Sequence, residues 1–132
     1  MAHNVPVRFD DSQDPLRRTR LQILCDALIP DTFDDAKKLA AELVTQQIAP
    51  QLYAAVVAID QNVGEAYSRS SGKDRALRFE YALGETRESM SCYKGGKPVL
   101  GKEITTNRLD RLEEIRRLLL AIIPRERGRP MK

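Results

Sequence analysis

The strongest order in this chain is a three-and-four spacing of apolar residues. Leu52, Val56, Ile59, Val63 and Ala66 keep it over one stretch, and Ala76, Phe79, Leu83, Thr86, Met90 and Tyr93 keep it over the next. That is the period of one helix face in a bundle. Ser70, Ser71, Gly72 and Lys73 break the pattern between them, with Gly72 available for a left-handed C-cap and Ser71 or Lys73 to Asp74 placed where the next helix starts. The two seams face each other, so the stretch from Ala58 to Glu88 is predicted to be a helical hairpin.

Upstream, Asp14 followed by Pro15 is a helix start signal: a capping carboxylate, then a proline whose missing N–H costs nothing in the first turn. Leu16, Ile23, Leu24, Ala27 and Leu28 mark one apolar side until Pro30, which predicts a short first helix. Asp31 and Thr32 can cap a second segment, Asp34 and Asp35 sit at its positive end, and Phe33, Ala36, Ala40, Leu43 and Gln47 give it an amphipathic face to about Ile48. Pro50 either opens a separate helix in its first turn or kinks a longer one. Downstream, Lys94 to Pro98 is a loop by composition. Thr105 or Thr106 is placed to cap a last helix whose face is Leu109, Leu112, Ile115, Leu119 and Ile122, ending at Pro124, with Arg116 and Arg117 near its negative end.

These elements sum to an all-α, antiparallel up-and-down four-helix bundle over residues 14–124, with an extra or kinked helix near Pro50. Residues 1–13 lack a helical period and read as a flexible arm, and residues 125–132 as a basic tail. A length of 132 residues suits one domain. With no Trp and few aromatics, the core falls to Leu, Ile, Val and Ala, which favours helices over sheets.

Charge adds a location. The net +3 is carried by Arg125, Arg127, Arg129 and Lys132 against Glu126, so the rest of the chain is neutral. A solvated end is the ordinary reading, and weak binding to nucleic acid the sharper one. Cys25 and Cys92 lie far apart inside helical patterns and read as small buried hydrophobes in a reducing compartment. There is no signal-peptide core and no run of membrane-spanning length, which points to the cytoplasm without a membrane partner.

Candidate chemistry is sparse. His3, the single histidine, lies in the arm, so Glu-x-x-His di-iron ligation and Ser-His or Cys-His dyads lack a member. Gly95, Gly96 and Lys97 follow no strand and make no phosphate loop. No cofactor, metal or catalytic residue is expected, and the protein reads as a non-enzyme. Asn62, Glu65 and Arg69 share one side of the hairpin's first helix, where a half-buried Glu65 paired with Arg69 or Arg78 would fix helix register or a subunit contact. Gly64 and Gly84 each cost about 1 kcal/mol relative to Ala in a helix interior. They point to close backbone approach, with position 84 opposite Ala58.

Ala58, Ile59, Asn62, Val63, Glu65, Tyr67 and Arg69, then Tyr81, Ala82, Leu83, Gly84 and Glu88, resemble the motif of small bacterial four-helix-bundle proteins. That family includes the 23S rRNA intervening-sequence proteins and the accessory protein (Avd) of diversity-generating retroelements. Its pattern runs small-Ile-Pro-x-Asn-Ile-Ala-Glu-Gly-aromatic-x-Arg, then Ala-Leu-Gly with a Glu four residues on. Asp60 stands in place of its proline, Gly64 of its alanine and Ala66 of its glycine, and the match covers about thirty residues. The resemblance implies an antiparallel bundle that assembles into a homo-oligomer, with pentameric rings known, acting without catalysis and in some members touching structured RNA and a reverse transcriptase. On that footing Asn62, Glu65, Tyr67, Arg69, Tyr81, Gly84 and Glu88 are the expected structural and assembly residues. Leu77, Tyr81 and Val57 are expected to bury between subunits. The alternative is an RNA-binding accessory protein acting through Arg17, Arg18, Arg20, Arg125, Arg127 and Arg129, although no helix carries a continuous basic face.

Overall fold

A computed structural model of the chain describes residues 7–8 and 19–128. Its four helices are α1 (Arg20–Ala40), α2 (Ile48–Tyr67), α3 (Gly72–Leu100) and α4 (Lys102–Arg127), and no strand occurs among the described residues. Each helix packs closely on its sequence neighbour, and α1 closes the bundle against α4. This is the all-α, up-and-down four-helix bundle that the periodicity implies.

The hairpin stands as expected. Leu52, Val56, Ile59, Val63 and Ala66 of α2 are buried against Ala76, Phe79, Thr86 and Tyr93 of α3, while Leu83 and Met90 are half-buried. Thr86 sits in this seam because its Oγ1 donates to the Ala82 carbonyl at 2.8 Å, so no donor is stranded. Ser71 caps α3, its Oγ accepting from the Asp74 N–H at 3.1 Å. Gly72 does not take the left-handed conformation; it is the first residue of α3, and the positive φ among described residues belongs to Gly101 at 88°. Pro50 lies in the first turn of α2, where its missing N–H costs nothing.

Three expected helix stops are not stops. The first helix does not end at Pro30: α1 runs from Thr19, whose Oγ1 caps the Gln22 N–H at 3.1 Å, through the proline to Ala40. The start expected at Asp14 lies outside the described residues. Pro30 is on the solvent side, and the face opposite it is continuous, with Cys25, Leu28, Thr32, Asp35 and Leu39 all buried. Packing on both sides of the proline outweighs the ~3 kcal/mol that its lost hydrogen bond and ring clash together cost. Asp31 and Thr32 are therefore mid-helix and cap nothing. The expected face of Phe33, Ala36, Ala40, Leu43 and Gln47 is out of phase, since Phe33 and Leu43 are exposed and the buried positions include two polar residues.

Lys94 to Pro98 is not a loop but part of α3. A Cβ on Gly96 would lie 2.8 Å from Leu39 Cδ2, and one on Gly95 3.3 Å from Ile48 Cδ1. These glycines let α3 approach the α1–α2 connection, a role opposite to the helix breaking that composition suggests. The reversal falls at Gly101, whose N–H bonds the Lys97 carbonyl at 2.8 Å. Thr105 and Thr106 lie inside α4 rather than capping it. Helix α4 also continues past Pro124, because Ile123 before it and Glu126 beyond it are both buried.

Candidate functional site

Asn62 is half-buried and donates from Nδ2 to the Ala58 carbonyl of its own helix at 2.9 Å. Glu65, half-exposed on α2, forms an i,i+4 ion pair with Arg69 just past the end of that helix, and Arg78 is not its partner. The Arg78 guanidinium lies instead 5.6 Å from the centre of the Tyr81 ring. Tyr67 stands edge-on to Phe79, ring centres 5.5 Å apart. These groups hold the hairpin by separate local contacts and do not form one polar network.

Gly84 and Glu88 are exposed on α3. Nothing within the subunit comes within 4 Å of where a Gly84 Cβ would stand, so Gly84 is not crossed by Ala58 or any other part of the bundle. Beside Glu88, partial burial, then a hydrogen bond and repulsion from Glu88, raises the Glu85 carboxyl above its ordinary value.

The buried charge lies elsewhere, on residues the periodicity passes over. Asp35 is in the core, where its Oδ2 accepts from the Tyr93 hydroxyl at 2.6 Å and from Arg108 Nε at 2.8 Å. Thr32 Oγ1, 2.9 Å from the same hydroxyl, donates to it because the tyrosine proton is committed to Asp35. Desolvation, then the bond to Asp35, pushes the Tyr93 hydroxyl well above the ordinary tyrosine value. A second buried pair joins Arg75 Nε to Glu126 Oε2 at 2.7 Å, while Arg75 Nη1 donates to the Arg69 carbonyl at 3.1 Å. It ties the hairpin turn to the end of α4. The signal for both is a charged residue falling in phase with an apolar face, as Asp35 does between Leu28 and Leu39.

Arginines also bridge α1 to α4: Arg20 pairs with Glu114, and Arg111 reaches Asp31 at 2.7 Å and the Ala27 carbonyl at 3.0 Å. Arg116 and Arg117 both bind Glu113, whose carboxyl their hydrogen bonds hold down to about 2. Of the residues proposed to meet nucleic acid, Arg20 and Arg127 are thus engaged, Arg127 with Glu80, and Arg125 is exposed. Arg17, Arg18 and Arg129 lie outside the described residues.

Two apolar surfaces remain uncovered. On the hairpin's outer side, Leu77 and Tyr81 of α3 are 43% and 48% exposed, next to a groove of about 500 Å³ where Gly84 and Arg87 face Leu120 and Pro124 of α4. Val57 of α2 is half-buried. At the α1–α2 end, Phe33, Pro50 and Tyr53 line a second depression below a turn that carries Leu43 and Val44. Both cysteines are free and buried, and desolvation raises both thiols. No helix among the described residues is long and apolar enough to cross a membrane.

No family model and no curated protein matches the chain. Among solved structures it is similar to a protein of unknown function from the S23 ribosomal protein family of Bacteroides thetaiotaomicron. The two superpose with a TM-score of 0.70 at 20% identity, over 78% of this chain and 97% of that one. At that identity the likeness establishes a shared bundle fold.

Proposed function

We propose that this protein is a non-catalytic cytoplasmic scaffold or adaptor that assembles with copies of itself, five in a ring being favoured. The observation that carries the reading is the uncovered hairpin face, where Leu77 and Tyr81 stand in water beside the solvent-open Gly84. An exposed helical glycine with no neighbour in its own subunit is unfavourable locally, and a second copy laid against it supplies the missing reason. The ring and its subunit number come from the motif resemblance, with which a solved bundle of the S23 ribosomal protein family is compatible. Two buried thiols suit a reducing compartment.

The expected outcome for Leu77→Asp with Tyr81→Asp is loss of the oligomer with helical content retained, read by light scattering and circular dichroism. An unchanged assembly would remove this face from the account. RNA contact is the second reading, and the paired arginines Arg20 and Arg127 weigh against it. A titration with structured RNA at low salt separates the two: several phosphate contacts give a steep salt dependence, and assembly alone gives none.

A further inference from the structure

Pro30 divides α1 into two halves that are held in different ways. Beyond it, Thr32, Asp35 and Leu39 are buried, the Asp35 carboxylate is tied to Tyr93 and Arg108, and Thr45 Oγ1 donates to the Leu39 carbonyl at 2.7 Å. Before it, Leu21, Cys25 and Leu28 supply an apolar face, and the polar contacts are weaker. Gln22 donates from Nε2 to Asp60, but its Oε1 is buried with no hydrogen-bond partner, a penalty that water would relieve. The proline gives no N–H to the Asp26 carbonyl, so the helix is softest where the halves join.

One side chain spans that joint. Arg111 of α4 donates from Nη2 to the Ala27 carbonyl at 3.0 Å and from Nη1 to Asp31 Oδ2 at 2.7 Å, so a single guanidinium grips α1 on both sides of Pro30. Arg20, paired with Glu114, fastens the start of the helix. Both fastenings stand partly in water: Asp31 is 45% and Glu114 40% exposed, against 1% for Asp35. Ion pairs of that kind are weakened by salt, and the buried Asp35 pair is screened far less. We propose that the half-helix from Arg20 to Ile29 is a strap that swings open at Pro30 while the rest of the bundle stays folded, with Arg111 as its latch. Opening uncovers Leu21, Cys25 and Leu28. Salt, or an anion competing for Arg20 and Arg111, is the signal that releases it. The latch lies on α1 and α4 and uses no residue of the hairpin face, so the strap does not depend on the assembly reading.

The chain carries its own reporter. Cys25 is 1% exposed in the closed strap, where burial raises its thiol and blocks attack, and Cys92 lies on α3, outside the strap. Labelling the folded protein with N-ethylmaleimide, with each cysteine followed by peptide mass spectrometry, measures opening at the two places separately. Arg111→Gln is expected to speed Cys25 about fivefold or more and to leave Cys92 within about twofold of wild type. Raising NaCl from about 20 mM to about 1 M should speed Cys25 in wild type and do less in the variant, whose latch is already gone. Pro30→Ala, which restores the missing N–H, should slow Cys25. Equal acceleration of both cysteines means that the whole bundle opens and overturns the proposal, as does a Cys25 rate indifferent to Arg111→Gln and to salt. A Cys25 rate that Pro30→Ala leaves unchanged overturns the hinge. Wild type alone supplies the salt comparison, so the test survives a variant that fails to fold.

Discussion

Asp35 joins three helices at one point, because the Tyr93 hydroxyl of α3 and the Arg108 guanidinium of α4 both converge on its carboxylate on α1. Removing it leaves the partly buried Arg108 guanidinium without its carboxylate. Asp35→Ala is therefore expected to cost about 3–5 kcal/mol in urea unfolding, and Asp35→Asn, which retains an acceptor, less. Alkali should act through residues raised by burial. Cys25 starts from 9.0 and Tyr93 from 10.0, and both are higher in the fold. The unfolded chain then loses these protons first, so stability is whole below about pH 9 and falls as pH rises, by up to about 1.4 kcal/mol per pH unit for each group. A pH series of unfolding midpoints for wild type and Cys25→Ala checks this: the variant should lose less between pH 9 and 10. Periodicity shows Asp35 only as a charge in phase with Leu28 and Leu39, and its partners Tyr93 and Arg108 stand too far away in sequence for spacing to name them.

Helix by helix, what the sequence makes legible is the hairpin, because most of its buried positions from Leu52 to Tyr93 are apolar and in period, Arg75, Thr86 and Ser89 being the polar exceptions. What it hides are positions where a residue's usual meaning is reversed by packing. Pro30 faces water on a helix whose opposite side is continuous, and Gly96 is a contact point rather than a break. Two of the α3 glycines, Gly84 and Gly96, accordingly differ in sign. Gly96→Ala drives a methyl into the fully buried Leu39 and should destabilise by about 1–3 kcal/mol. Gly84→Ala meets nothing and should stabilise the separated subunit by about 1 kcal/mol. Thermal melts of the two variants at low concentration make the comparison. The closure of α1 on α4 was equally hidden, being made by long arginine side chains with little close backbone approach.

For the whole molecule, these helices account for a complete core and still leave apolar side chains on two sides, the hairpin face and the α1–α2 corner. Uncovered apolar faces of this kind are where partners bind, and the assembly we propose makes the partner of the hairpin face a second copy. The residues singled out by resemblance divide accordingly: Asn62, Glu65, Arg69 and Tyr67 are engaged within the subunit, whereas Tyr81, Gly84 and Glu88 face outward. The most direct test is the native mass of the wild-type protein at low micromolar concentration. The account predicts a discrete homo-oligomer, five times the 14.9 kDa subunit being favoured. A single species at 14.9 kDa, unchanged on concentration, would contradict it.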